Sequence, residues 1–321
     1  MKWTVSLDEA HTRLDQWLAH QVGCSRAEAR RLIDDGAVRV SGRPAKKGTL
    51  LLAGAEIELA RLPPTPEARR PTPEPALPLE VLFTDDALVA LAKPAGAATH
   101  PLRPGERGTL AGALAARFPE CAGASDDPRE GGVAHRLDID TSGVVLAART
   151  RQAWQALRVA FAAGRIEKEY LALVTGAPPN EGEVDAPLAH AGHRRKVTVV
   201  EKWLNHSEDW SNHSPRPRPA LTRYRVLARS TPGRPEVALV RAFTSTGRMH
   251  QVRAHLAHAG FPLVGDTLYG GPPAEPPGHL LHAARIRFPH PVTGAPTTID
   301  APLPEARRRL FEAWLGAPPP V

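Results

Sequence analysis

Seven prolines fall at positions 63, 64, 66, 71, 73, 75 and 78. Each proline ring fixes φ and removes a backbone N–H, so such a run cannot supply the interior of a helix or a sheet. The run divides the chain. Residues 1–60 form one unit, 61–78 read as an extended linker, a larger unit spans 79–312, and 313–321 read as a flexible tail. The length of 321 residues agrees with two cores, because it exceeds what one hydrophobic core ordinarily organises.

In the small unit Leu14, Trp17, Leu18 and Val22 recur at helical spacing. A second helix starts at Ser25, with Glu28 three residues on as a capping box and Ala29, Leu32 and Ile33 as its apolar face. Gly36 suits its C-terminus. Val38 and Val40 then alternate as a strand, Ser41-Gly42 turn the chain, and Ile57 with Leu59 mark a further strand.

In the large unit Val81–Phe83 and Leu88–Leu91 read as a hairpin around Asp85-Asp86. Val144–Ala148, Tyr170–Val174 and Val237–Val240 are further strands. Helices are expected at 151–163, before Gly164, and at 249–259, before Gly260. Strands dominate without strict βαβ alternation, so the expected class is α+β. Residues 190–219, rich in His, Arg, Ser and Pro, read as a long flexible insertion between two strands.

A formal charge of +7 and a pI near 9.8 favour a polyanionic partner, since Lys and Arg that neutralise phosphates release condensed counterions. Cys24 and Cys121 are too few for a disulfide framework and read as buried small residues in a reducing compartment. The N-terminal residues lack the apolar core of a signal peptide, and no stretch approaches a membrane span, so the expectation is a cytoplasmic protein without membrane contact.

The segment richest in chemistry is His135-Arg136-Leu137-Asp138-Ile139-Asp140-Thr141-Ser142-Gly143, which runs into the apolar strand Val144-Val145-Leu146. A polar loop entering a buried strand presents its side chains at a sheet edge. In extended backbone Arg136 and Asp138 project to one side, placing a guanidinium and a carboxylate before one cavity. From these residue types alone, an ordinary Arg–Asp pair beside a turn reads equally well.

The segment nevertheless resembles, as His-Arg-Leu-Asp-x-x-Thr-Ser-Gly, the signature of the RluA-type pseudouridine synthases that modify bacterial ribosomal and some transfer RNAs. Other segments agree in order: Lys93-Pro94-Ala95-Gly96 with His100, Lys168-Glu169-Tyr170, Gly247 to His255, and Gly260 to Gly270. The resemblance covers most of residues 79–290 and implies a mixed, mainly antiparallel sheet. It implies that Asp138 attacks the target uridine or assists cleavage of its N-glycosidic bond, after which uracil rejoins through C5. It further implies that Arg253 is the cation keeping Asp138 ionised, that Tyr170 stacks on the target base, and that Arg136, with His135 beside it, contacts RNA where the base leaves its stack. A carboxylate nucleophile needs such a cation to stay ionised. Met249 and Ala254 depart from the commoner family residues.

The small unit resembles the alpha-L RNA-binding module. Residues 1–60 hold nine Lys/Arg against eight Asp/Glu, yet the basic groups cluster as Arg26, Arg30, Arg39 and Arg43, with Lys46 and Lys47, and are expected to contact RNA. The implied partner is RNA, foremost 23S ribosomal RNA or its assembly precursor, with the protein a monomer. No cofactor is implied, because the isomerisation is redox-neutral. No metal is expected either: His255 and His258 share a helix face, but His250 is separated from them around the helix and no metal-ligand spacing occurs. Asp138 and Asp140 as a glycosidase pair is a competing reading that the family pattern does not support, position 140 being variable there. A catalytically inactive RNA-binding or chaperone protein, and a synthase acting on transfer RNA, are the alternatives. Asp138, Tyr170 and Arg253 together favour an enzyme.

Overall fold

A computed structural model describes residues 1–46, 48–190, 196–200 and 216–321. Lys47 and much of the expected 190–219 insertion lie outside them. The chain separates into two compact units, Met1–Ala68 and Arg69–Val321.

The first unit contains β1 (Lys2–Thr4), α1 (Leu14–Gln21), α2 (Arg26–Asp34), β2 (Val38–Val40), β3 (Arg43–Pro44) and β4 (Glu56–Leu59). Its strands form one antiparallel sheet in the order β1-β4-β2-β3. The capping box expected at Ser25 is present: Glu28 N donates to Ser25 Oγ at 3.3 Å and Ser25 N to Glu28 Oε2 at 3.0 Å. Ala29, Leu32 and Ile33 pack with Leu14, Trp17 and Leu18 against the sheet residues Val38, Ile57 and Leu59.

The proline run differs from an extended linker. Pro66–Arg69 forms a helical turn, α3, which a proline can open because its missing N–H has no partner in a first turn. Pro71 is buried, and Glu74 accepts hydrogen bonds from Gly108 N, so residues 69–78 belong to the second unit.

That second unit continues with β5 (Glu80–Thr84), β6 (Leu88–Lys93), α4 (Leu110–Arg117), β7 (Ser142–Ala148), α5 (Arg151–Ala162), β8 (Glu167–Thr175), β9 (Glu181–Asp185), β10 (Leu188–His190), β11 (Val197–Val199), β12 (Leu221–Arg229), β13 (Val237–Thr244), α6 (Gln251–His258), β14 (Leu281–Pro289), β15 (Pro296–Asp300) and α7 (Glu305–Leu315). Its main sheet has the order β5-β6-β7-β14-β8-β13-β12-β9, with β15 paired to β14. Every pairing in it is antiparallel except β7 with β14, where Ser142 and Gly143 face His282 and Ala283. The class is thus α+β and mainly antiparallel.

Asp85 fixes the expected hairpin by accepting from Ala87 N and Leu88 N at 2.8 and 2.9 Å. The helix expected from 249 begins at Gln251, because His250 takes a left-handed φ of 53° and serves as its N-cap. Part of the expected insertion is ordered, since β11 pairs with β10. The expected tail starts late: α7 runs through Leu315, which is buried. Among the described residues no helix is long and apolar enough to cross a membrane.

Candidate active site

Residues 135–141 have little regular structure of their own, and the chain around them fixes their course. Lys93, at the end of β6 and almost wholly buried, donates to Pro94 O at 2.8 Å, Ala97 O at 2.6 Å and Ile139 O at 2.8 Å. Burial pulls its pKa down to about 7, against the attraction of Asp140 and Asp138. Three carbonyl acceptors match the three N–H bonds of an ammonium, however, so the geometry is that of the charged form. Thr99 Oγ1 accepts from Leu137 N at 3.2 Å and donates to Leu137 O at 3.0 Å. The loop enters β7 through Gly143, whose φ is 118° and where a Cβ would stand 2.2 Å from Ala283 O. Only glycine admits the β7–β14 contact at that point.

This frame delivers Asp138 to the N-terminal part of α6. Arg253 Nη1 donates to Asp138 Oδ2 at 2.8 Å across 115 residues of sequence. The other edge of the same guanidinium is held by Asp266, with Nε to Oδ2 at 2.7 Å and Nη2 to Oδ1 at 2.8 Å. Asp266 is 1% exposed, Arg253 8% and Asp138 19%, so the reachable member of the row is Asp138. Tyr269 covers the guanidinium at 5.2 Å and binds His250 Nδ1 through its hydroxyl at 3.1 Å. Burial acts to raise the Asp138 pKa, but His250 and Arg253 outweigh it and the net direction is down. Burial also lowers the pKa of His250 itself, so Arg253 is the permanent cation beside Asp138.

Asp138, Arg136, Tyr170, Arg253, Lys168 and Arg248 line one cavity. Tyr170 is buried on β8, and desolvation pushes its hydroxyl pKa up, so it stays protonated. Arg136 is exposed at the mouth. Beside it lies a groove of about 540 Å³ that also exposes Arg216, Arg218, Arg248 and His190, with Asp138 as its carboxylate. The expected convergence of Arg136 and Asp138 on one cavity is therefore present.

His135 is placed differently from the expectation. Its Nε2 accepts from Leu146 N at 3.0 Å, its Nδ1 is buried, and its ring packs on Phe161 at 4.9 Å. Burial drives its pKa down to about 3, so it is a neutral strut behind the loop rather than an RNA contact. Asp140 turns toward Gly278 and His279 and is not among the described residues that line the cavity or the groove, so it does not pair with Asp138. His255 spends both ring nitrogens on Thr222 and Ala186 O. Among the described residues no three His, Cys, Asp or Glu side chains are placed to share a metal ion.

In the small unit Arg26 and Arg30 are half exposed but lean on Asp15, at 3.3 and 2.7 Å, with Arg13 as a third partner at 3.1 Å. Asp15 is fully buried; desolvation would raise its pKa, but the three guanidiniums hold it at about 2. Arg39 bonds Gly42 O, and Arg43 is exposed on β3. The sequence reading missed Asp15 and Asp266 as organisers. Asp15 carried a signal in following Arg13 closely, whereas Asp266 has no basic neighbour and was marked only by lying within the matching segment Gly260 to Gly270.

An ionised, partly buried aspartate held by an arginine at the foot of an arginine-rich groove defines an enzyme acting on a polyanion. Residues 87–258 match the family profile described as RNA pseudouridylate synthase, and residues 12–57 match the S4 domain. An uncharacterized RNA pseudouridine synthase of Mycobacterium bovis is 34% identical over 96% of this chain and 96% of its own length. A ribosomal large subunit pseudouridine synthase D of Xanthomonas campestris is 36% identical over 90% and 84%. The solved structure of human RNA pseudouridylate synthase domain containing 1 shares the fold at a TM-score of 0.55 and 23% identity, covering 77% of this chain and 100% of that one. The chain belongs to the RNA pseudouridylate synthase family, and its motifs are those of the RluA type. It is an RNA pseudouridine synthase, an isomerase.

Proposed function

We propose that this chain isomerises uridines of 23S ribosomal RNA with Asp138 as the catalytic carboxylate. The observation that carries the mechanism is the 2.8 Å contact between Arg253 Nη1 and Asp138 Oδ2 in a cavity that Tyr170 and Arg136 share. The C1′–N1 bond of the target breaks with help from the carboxylate, uracil turns, and the C1′–C5 bond forms as C5 loses its proton and N1 gains one. Tyr170 supplies the face on which the extruded base stacks, and Arg136 occupies the space it leaves, offsetting the few kcal/mol that extrusion costs.

The ribosomal assignment is supported by relatives named ribosomal large subunit pseudouridine synthase D in Xanthomonas campestris and Nitrosomonas europaea. It is supported as well by the match to an S4 domain, whose Arg26, Arg30, Arg39 and Arg43 would add phosphate contacts that read no bases. Two measurements test the reading. Asp138→Asn should fold and bind RNA like the parent yet form no pseudouridine; turnover above a few per cent of the parent rate overturns the assignment. Pseudouridine mapping in a strain lacking the gene should show a loss in 23S RNA, and a loss confined to transfer RNA refutes the substrate.

A further inference from the structure

We propose that Lys168 and Arg248 seat a backbone phosphodiester adjoining the flipped uridine; this rests on the functional reading above. Lys168 is 6% exposed, and the face that it does show lines the cavity of Asp138. On β8 it stands two residues before Tyr170, so both side chains lie on the cavity side of the strand, with the ammonium one pleat beyond the tyrosine ring. Glu169 between them faces the opposite way, where Arg287 holds it at 2.6 Å.

No hydrogen bond or ion pair to the Lys168 ammonium exists among the described residues. Its neighbours are the Phe161 ring at 5.7 Å and two further basic side chains, Arg248 and the neutral His135. A desolvated ammonium beside a guanidinium, with no carboxylate among the described residues to balance it, is costly to maintain. Lys93, nearly as deeply buried, shows the contrast: three carbonyls satisfy it. Asp138 does not serve Lys168, since its charge is matched by Arg253. Among the described residues no anion answers this ammonium, whereas RNA carries one at each linkage.

The approach to the ammonium runs past a glycine. Gly247 lies over the ammonium, and a Cβ there would stand 3.0 Å from Nζ. Arg248 follows on the same loop and lines both the cavity and the groove, so a strand in the groove would pass a phosphate between the two cations while its base enters toward Tyr170. Charge-assisted contacts of this kind are the strong ones.

The test uses the full chain, Lys168→Met, and a hairpin RNA containing a uridine that the wild type modifies, prepared with an uncharged methylphosphonate at the 5′ or the 3′ linkage. With the wild type, kcat/KM should fall about 10- to 100-fold at one of the two linkages. Lys168→Met should show the same loss on all-phosphate RNA, no further loss on the neutralised RNA, and a Tm equal to or above that of the wild type, because an unpaired buried charge has gone. Losses that multiply, a fully active Lys168→Met, or a wild type indifferent at both linkages overturns the proposal. So does a variant that melts well below the wild type, which would mean that the protein itself satisfies the ammonium. If the wild type modifies no RNA at all, it is the functional reading that fails.

Discussion

Asp266 touches no part of the groove, yet the geometry makes it the residue on which Arg253 depends. In Asp266→Asn one carbonyl still accepts from the guanidinium, while the amide NH2 confronts the other N–H donor. One charge-assisted hydrogen bond, about 1.5–3 kcal/mol, is lost, and a buried charge loses its partner, a change that costs about 3–5 kcal/mol when nothing else compensates. Asp138 does compensate in part, so a net destabilisation of about 3 kcal/mol is expected. To recover a second acceptor the guanidinium would rotate, drawing Nη1 away from Asp138 Oδ2, 2.8 Å distant in the parent. A misplacement of about 1 Å costs on the order of 100-fold in rate. Because Arg253 meets a carboxylate and not RNA, the loss should fall on kcat, with KM nearly unchanged. Urea melts give the first quantity, and single-turnover release of label from C5 of the target uridine gives the second. An Asp266→Asn protein within 1 kcal/mol and threefold of the parent would refute the argument that Asp266 orients the arginine.

Gly143→Ala puts a Cβ 2.2 Å from Ala283 O at a φ of 118°, so the β7–β14 pair should part and the protein lose more than about 3 kcal/mol in a urea melt; a stable, active variant would show that the strands have room. Lys93→Met strands the carbonyls of Pro94, Ala97 and Ile139 and should cost about 3 kcal/mol, together with much of the rate as the Asp138 loop loosens; hydrogen exchange of residues 135–141 reads the loosening, and unchanged protection counts against it. Asp15 has a folded pKa of about 2 against 3.8, so its contribution is present above about pH 4 and lost as pH falls toward 2. The penalty of Asp15→Asn, about 2 kcal/mol at pH 7 by exchange in α1 and α2, should shrink over that window, and a constant penalty speaks against the three-arginine cluster.

What the sequence showed in advance was whatever depends on local spacing. The Ser25–Glu28 box, the Asp85 turn and the seven buried residues of β7 are each written within a few positions. Asp138 and Arg253 were found by motif, and their contact is geometry that no spacing over 115 residues could express. His135 came with the same motif, and its packing against Leu146 N and the Phe161 ring is likewise geometry that the motif does not express. β14 escaped notice because Arg285 and Arg287 interrupt its apolar pattern, although both meet carboxylates across the sheet, Asp300 and Glu169 respectively. Proline content misled at 69–78, where side chains of the second unit give the segment somewhere to pack.

The position of β14 bears on how the enzyme comes into being. Strands β7 and β8 are joined through α5 alone, and β14, which begins more than 130 residues after β7 ends, separates them. A nascent chain cannot close its sheet until residue 289 has emerged, and any earlier pairing of β7 with β8 has to be undone. Contacts so distant in sequence make for slow folding. They also mean that a polypeptide interrupted before Leu281 lacks the centre of the sheet and not merely its edge. Activity should therefore appear all at once, late in synthesis, with no partly active fragment on the way.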